Sequence, residues 1–199
     1  MSLPVQILAY EDLRGIAEDF LRQHHPAGTI PVPIERIIES KLEMDICPEM
    51  CIQDICDVDA FINVKCTAIH VDVSVYMATN DSRYRFSLAH EVAHKILHAD
   101  IVAALPFRTR DEWKLAYRSI PEQDRSWIEW QAYALGGLLL VHREPLAREF
   151  RRLVDAFPGG LDPKMKDAIR HTINTELGKA FKVSRPVIEK RCEKDGLVY

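Results

Sequence analysis

The sequence predicts an α+β fold: mainly helical, with a small antiparallel three-stranded sheet and a helical C-terminal tail. Three observations carry this. Long segments on either side of residues 43–78 repeat their apolar positions at helical period, whereas residues 43–78 are short, β-branched and alternating. Acidic turns separate those strand-like stretches. Directly after them comes FSLAHEVAHKILH (86–98), with histidines at 90, 94 and 98 and a glutamate at 91.

Residues 7–25 place Leu13, Ile16, Phe20 and Leu21 on one face of a first helix, which Pro26 and Gly28 end. A short second helix spans 32–42, starting near Pro33. MDIC, AFINV and AIHVDVSVYM read as three strands in antiparallel order. Asn80, Asp81 and Ser82 offer N-caps for a helix running through His98. Residues 99–118 read as irregular or weakly helical. Ser119-Ile-Pro-Glu122 resembles a capping box opening a long apolar helix at 122–141. Beyond it lie a helix at 143–156, a break at Pro158-Gly159-Gly160, a helix near 163–173 and a helix-turn-helix pattern at 175–195.

At 199 residues, with 47% hydrophobic and 28% charged side chains, the chain has the composition of a globular protein with one sizeable core. No run is apolar enough to cross a bilayer, and the opening residues lack the features of a secretion signal, so a cytoplasmic location without membrane contact is expected. The five cysteines are odd in number, and Cys47, Cys51 and Cys56 lack zinc spacing, so they are read as plain thiols. Charge is uneven. Residues 1–142 carry 13 basic and 21 acidic side chains (net −8), and residues 143–199 carry 13 and 9 (net +4). This suggests a division into a body, 1–142, and a basic helical region, 143–199.

His90 and His94 are one helical turn apart, so both imidazoles leave the same face and can converge on one cation. Glu91 stands beside them as a general base, which gives each fixed position of H-E-x-x-H a mechanical reason. His98 lies about 12 Å along a straight helix from His90, too far to share the ion. It is read as a hydrogen-bonded neighbour or an exposed residue. Glu129, in the apolar helix, is the candidate third metal ligand, since a carboxylate between Ile128 and Trp130 is less costly when a cation neutralises it. Two histidines and one carboxylate leave a fourth position open, as in hydrolytic rather than structural zinc sites. Tyr133, one turn beyond Glu129, is a candidate hydrogen-bond donor to a ligand or to the oxyanion, with core packing as the alternative. Gly136-Gly137 in a helix interior calls for a packing reason, such as close approach of the histidine helix.

With these residues in place, the sequence resembles the ImmA/IrrE family of bacterial and phage zinc metallopeptidases. The resemblance rests on PVPIERIIESKLEMDI, AIHVDVS, SRYRFSLAHEVAHKILH and EWQAYALGGLLLV in that order. It implies a zincin-like core, one Zn2+ (or another divalent ion) held by His90, His94 and Glu129, and Glu91 as general base. It also implies a protein substrate, a helix-turn-helix transcriptional repressor, whose cleavage induces mobile-element or stress-response genes. Tyr133 stands where the family usually has Asn or Asp, and Val141-His142 where it has Met-Pro. The strand AIHVDVS is a candidate edge for an extended substrate. The alternative is a non-catalytic regulator that binds DNA or a repressor through the basic C-terminal helices, with a vestigial metal site.

Overall fold

The computed structural model describes residues 5–78, 81–156 and 166–197. Among these, the elements are α1 (Tyr10–His24), α2 (Ile34–Ser40), β1 (Asp45–Glu49), α3 (Ile52–Cys56), β2 (Ala60–Ile62), β3 (Ala68–Asp72), α4 (Val73–Tyr76), α5 (Asp81–Ala104), α6 (Arg110–Arg118), α7 (Glu122–Leu140), α8 (Arg143–Asp155), α9 (Lys166–Phe181) and α10 (Arg185–Lys194). The fold is α+β and mainly helical, with one three-stranded sheet. Asn80 and the Pro158-Gly159-Gly160 break lie outside the described residues.

The sheet is mixed rather than antiparallel. Its order is β1-β3-β2; β3 runs parallel to β1 and antiparallel to β2. A meander would have put β2 in the middle. Instead α3, flanked by Cys51 and Asp57 in left-handed conformation (φ 63° and 62°), separates β1 from β2, and β3 returns between them. A five-residue helix is too short to display a 3.6-residue period, so the sequence pattern missed it. The strand expected as a substrate-accepting edge, β3, is therefore central, and four of its five residues are buried. The edge next to α5 is β2. Asp72 N–H donates to Asp59 O and Asn63 N–H to Ala68 O. Phe61 and the flanking Asp59 and Asn63 are thus the positions hydrogen-bonded to β3, while Ala60 and Ile62, paired in register with Val71 and Ile69, turn their backbone groups the other way.

The main core gathers Leu13, Ile34, Ile38, Ile69, Leu88, Leu135, Leu139, Leu146, Leu177, Phe181 and Ile188 from both sides of the sequence. α7 runs through its centre, with Ala132, Leu135, Leu138, Leu139 and Leu140 buried. The expected capping box at Ser119–Glu122 is absent: Pro121 occupies the N-cap of α7 without a side-chain hydrogen bond. The box is found instead at Thr109 and Glu112, which open α6. Most of the stretch read as irregular or weakly helical is helical, as the end of α5 and as α6.

In the tail, the helix expected near 163–173 and the first helix of the pattern expected at 175–195 are one continuous α9 (Lys166–Phe181), and Lys182 (φ 52°) makes the turn into α10. The glycine this turn needs sits earlier in the sequence. A Cβ on Gly178 would meet the Val183 carbonyl at 3.0 Å. Leu177, Phe181, Val183, Val187 and Ile188 all join the main core.

Candidate metal centre

α5 positions the histidines. Its N-terminal half is buried against the sheet and α7, with Leu88, Ala89, Val92 and Ala93 fully enclosed. The polar positions 90, 91 and 94 therefore face the one direction left open, a cleft of about 390 Å³. α7 passes directly across α5 at Gly136, where a Cβ would lie 3.2 Å from His90 N and 3.3 Å from Ala89 C. That approach brings Glu129, two turns earlier on α7, over the imidazoles.

The donor atoms converge. His90 Nε2 and His94 Nε2 are 3.0 Å apart, His90 Nε2 and Glu129 Oε2 are 3.2 Å apart, and His94 Nε2 and Glu129 Oε1 are 3.6 Å apart. Donors bonded to one tetrahedral zinc at about 2.0–2.1 Å stand about 3.3 Å from one another. The three separations bracket that edge, so the residues fit a bound cation by spacing as well as by donor chemistry. One ligand-type atom of Glu91 also lies within 4.8 Å of those of His90 and His94. Glu129 meets His90 through Oε2 and His94 through Oε1, so both Glu91 and Glu129 bring a carboxylate close to the imidazole pair.

Electrostatics set the two carboxylates apart. Burial pushes the Glu91 carboxyl up to about 8; the charge of His90 and a hydrogen bond from Ile62 N–H oppose this, and Glu129 adds to it. A cation alongside would lower it again, as nearby positive charge favours the carboxylate. Burial brings His94 down to about 3, so it stays neutral, the form that can ligate. Burial would raise Glu129. The hydrogen bond and charge of His90, the hydroxyl of Tyr117 and, at acid pH where it is protonated, the charge of His94 outweigh that and hold it down at about 2.

Two neighbours orient these groups. Tyr117, on α6, donates its hydroxyl to Glu129 Oε1 at 2.6 Å, and its ring stacks on Trp113. The sequence reading missed it, although Thr109-x-x-Glu112 followed by an aromatic pair four residues apart signals a short helix. His98 is buried, and its Nδ1 lies 3.2 Å from His94 Nδ1. The helix is distorted at His98 (φ −129°, ψ 17°), and the ring meets the back of His94 rather than the donor cluster. If His94 Nε2 ligates, its Nδ1 carries the hydrogen and His98 Nδ1 accepts it. Tyr133 lines the cleft, but its ring packs on Phe86 and beneath Lys190, and the hydroxyl that reaches Glu129 is that of Tyr117.

A paired-histidine helix, a carboxylate from a second helix and an adjacent buried acid define a site of the metallopeptidase type. The family comparison gives the same class: the model of the IrrE N-terminal-like domain, peptidase family M78, matches residues 76–193. The chain belongs to that family. A search of curated proteins returns no significant match. Among the described residues, no helix is long and apolar enough to cross a membrane.

Proposed function

We propose that the protein is a zinc-dependent endopeptidase that cleaves a protein substrate as a regulatory step. The observation that supports this most is the convergence of the His90 and His94 Nε2 atoms with the Glu129 carboxylate beside Glu91. A divalent cation bound there supplies Lewis acidity, polarising the scissile carbonyl and making water acidic enough to attack near neutral pH. Glu91 takes the proton from the attacking water and delivers it to the leaving amine. Its burial keeps bulk water from competing for that proton. Tyr117 fixes the rotamer of Glu129, and His98 fixes the tautomer of His94. An extended substrate would add to the outer edge of β2 through the backbone of Ala60 and the carbonyl of Ile62, whose N–H is held by Glu91; both residues line the cleft. The substrate class proposed from the family resemblance is a helix-turn-helix repressor.

The test begins with the metal content of the purified wild-type protein and of His94→Ala, where loss of a stoichiometric ion in the variant is expected. Glu91→Gln should retain the ion and lose about 10²–10⁴-fold in cleavage of a repressor encoded beside the gene. A wild type that binds no zinc, or a Glu91→Gln variant that cleaves normally, would remove this reading.

A further inference from the structure

Away from the metal centre, the end of α1 and the start of α8 enclose a groove of about 700 Å³, within the range usual for small-molecule sites, about 300–1,000 Å³. Arg22, Arg143 and Arg151 line it, and so do Glu18 and Glu144. Arg143, Ala147 and Arg151 form one stripe of α8, so two guanidiniums rise from the same wall with a small residue between them. The opposite charges do not close on one another. Arg151 donates to Ala147 O at 3.3 Å, and Arg143, Glu18 and Glu144 make no ion pair among the described residues. Elsewhere on the same helix such charges do pair: Glu149 holds Arg152 at 2.8 Å and Arg148 at 3.6 Å. Two histidines add unspent polar atoms. His25, only 8% exposed, donates Nε2–H to Thr29 O at 2.8 Å, which leaves Nδ1 as an acceptor, unpartnered among the described residues, on a ring that lines the groove. His142 is the N-cap residue of α8 but caps nothing, and both its ring nitrogens are buried short of a well-formed hydrogen bond.

We infer that this groove is a binding site for a phosphorylated sugar, free or within a mononucleotide. The charge pattern disfavours simpler ligands. Inorganic phosphate would use the guanidiniums but also face Glu18 and Glu144, and a neutral sugar would leave the guanidiniums without a counter-charge. A sugar phosphate uses both sets. Its phosphate goes to Arg143, Arg151 and the uncapped start of α8, where the helix dipole favours an anion. Its hydroxyls donate to Glu18, Glu144 and His25 Nδ1. Leu21 and Pro26 supply apolar lining for the face of a sugar ring or base. A nucleic-acid strand suits the surface less well. Phosphates in series need cations in series, and Glu149 neutralises Arg148 and Arg152 on the neighbouring face of α8.

The site does not depend on the peptidase reading, and its test uses chelator-treated full-length protein, so that phosphate cannot bind at a metal ion. Ribose 5-phosphate, adenosine monophosphate, inorganic phosphate, ribose and a short DNA duplex are titrated separately. Binding is followed by calorimetry and by the amide NMR shifts of the first turn of α8. The two sugar phosphates should bind at least about 10-fold more tightly than inorganic phosphate or ribose and should move those amides. The double variant Arg143→Gln, Arg151→Gln should lose about 10- to 100-fold in affinity for them. The double variant Glu18→Gln, Glu144→Gln should weaken ribose 5-phosphate while holding or tightening inorganic phosphate, a split that general loss of structure does not produce. Arg148→Gln with Arg152→Gln should match the wild type. Inorganic phosphate bound as tightly as ribose 5-phosphate would reduce the groove to a general anion patch. Tighter binding of the duplex would make it a nucleic-acid surface, and equal losses in both arginine pairs would leave only bulk charge. Each of these results overturns the proposal, as does the absence of binding.

Discussion

Gly136 and Gly137 are neighbours in α7 with the same intrinsic cost to a helix, about 1 kcal/mol each relative to Ala. Their surroundings differ. A Cβ on Gly136 would lie 3.2–3.3 Å from three backbone atoms of Ala89 and His90, tighter than nine in ten real Cβ contacts, and a backbone cannot rotate out of the way. A Cβ on Gly137 would meet only Val187 Cγ1, at an ordinary 4.0 Å. Gly136→Ala therefore forces α5 and α7 apart by a few tenths of an ångström. Overpacking of this kind costs about 1–3 kcal/mol, partly offset by the helix gain of about 1 kcal/mol. Gly137→Ala collects the gain of about 0.5–1 kcal/mol with little penalty. The two chemically identical substitutions should thus differ by about 1–3 kcal/mol. At about 2–4 °C per kcal/mol, that is a gap of several degrees in the melting temperature of the chelator-treated protein. The same displacement moves His90 relative to Glu129, so zinc affinity should fall in Gly136→Ala and hold in Gly137→Ala. A Gly136→Ala protein as stable as its neighbour, with unchanged zinc affinity, would show that the contact between α5 and α7 does not set the metal geometry.

Three further outcomes follow from the groups around the donors. His98→Leu should weaken zinc binding by about 10- to 100-fold in a competitive chelator titration, whereas His98→Asn, whose Oδ1 takes the place of the imidazole Nδ1, should stay close to wild type; equal losses would make His98 a packing residue only. Tyr117→Phe should weaken zinc binding by about 10-fold while Co2+-substituted protein shows an altered visible spectrum, since Glu129 loses the partner that fixes its orientation; an unchanged spectrum would count against that role. In metal-free protein, Glu91 is neutral when folded and ionised when unfolded between its ordinary value and about 8, so its burial costs more stability as pH rises through that window. Glu91→Gln should therefore stabilise the metal-free protein by up to a few kcal/mol at pH 8 and by little at pH 4.5, and a gain independent of pH would contradict the buried neutral acid.

The parts of the site legible in the sequence are those that local spacing dictates. An i,i+4 histidine pair projects from one face of any helix, and the cost of an isolated carboxylate among Ile128 and Trp130 pointed to Glu129. The double glycine was read as a sign of close helix approach, and at Gly136 the histidine helix does lie against it. Tyr133 shows the limit of the method. A helical stripe tells which residues share a face, but Tyr133 is about 6 Å further along the axis than Glu129. At that level its neighbours are Phe86 and Lys190. Tyr117 reaches Glu129 from a different helix, a long-range contact that no local pattern encodes. Sheet order was hidden for the same reason, since it depends on where α3 carries the chain between β1 and β2.

The charge asymmetry of the tail takes on a different meaning once its partners are known. Arg191, only 3% exposed, donates to Val141 O, to the Tyr10 hydroxyl and to Asp195, and Asp195 also holds Arg14 of α1 at 2.6 Å. Two guanidiniums on one buried carboxylate form a cluster whose members cannot be removed singly without leaving an uncompensated charge. The more exposed cations pair as well: Lys182 with Asp81 at the start of α5, Arg185 with Glu189, and Lys190 over the ring of Tyr133. The link to Asp81 matters for the site, because it ties the turn between α9 and α10 to the N-terminus of the helix that carries both histidines. Arg85 adds a second tie one turn later, donating to the carbonyls of Lys182 and Val32. Part of the tail's positive charge therefore serves the fold: Arg191 is buried among α1, α7 and α10, and Lys182 ties the α9–α10 turn to the start of α5, while Arg143, Arg148, Arg151, Arg152 and Lys179 stay exposed. Through Lys182 and Arg85 the tail braces α5, while Glu129 and Tyr117 meet its histidine end.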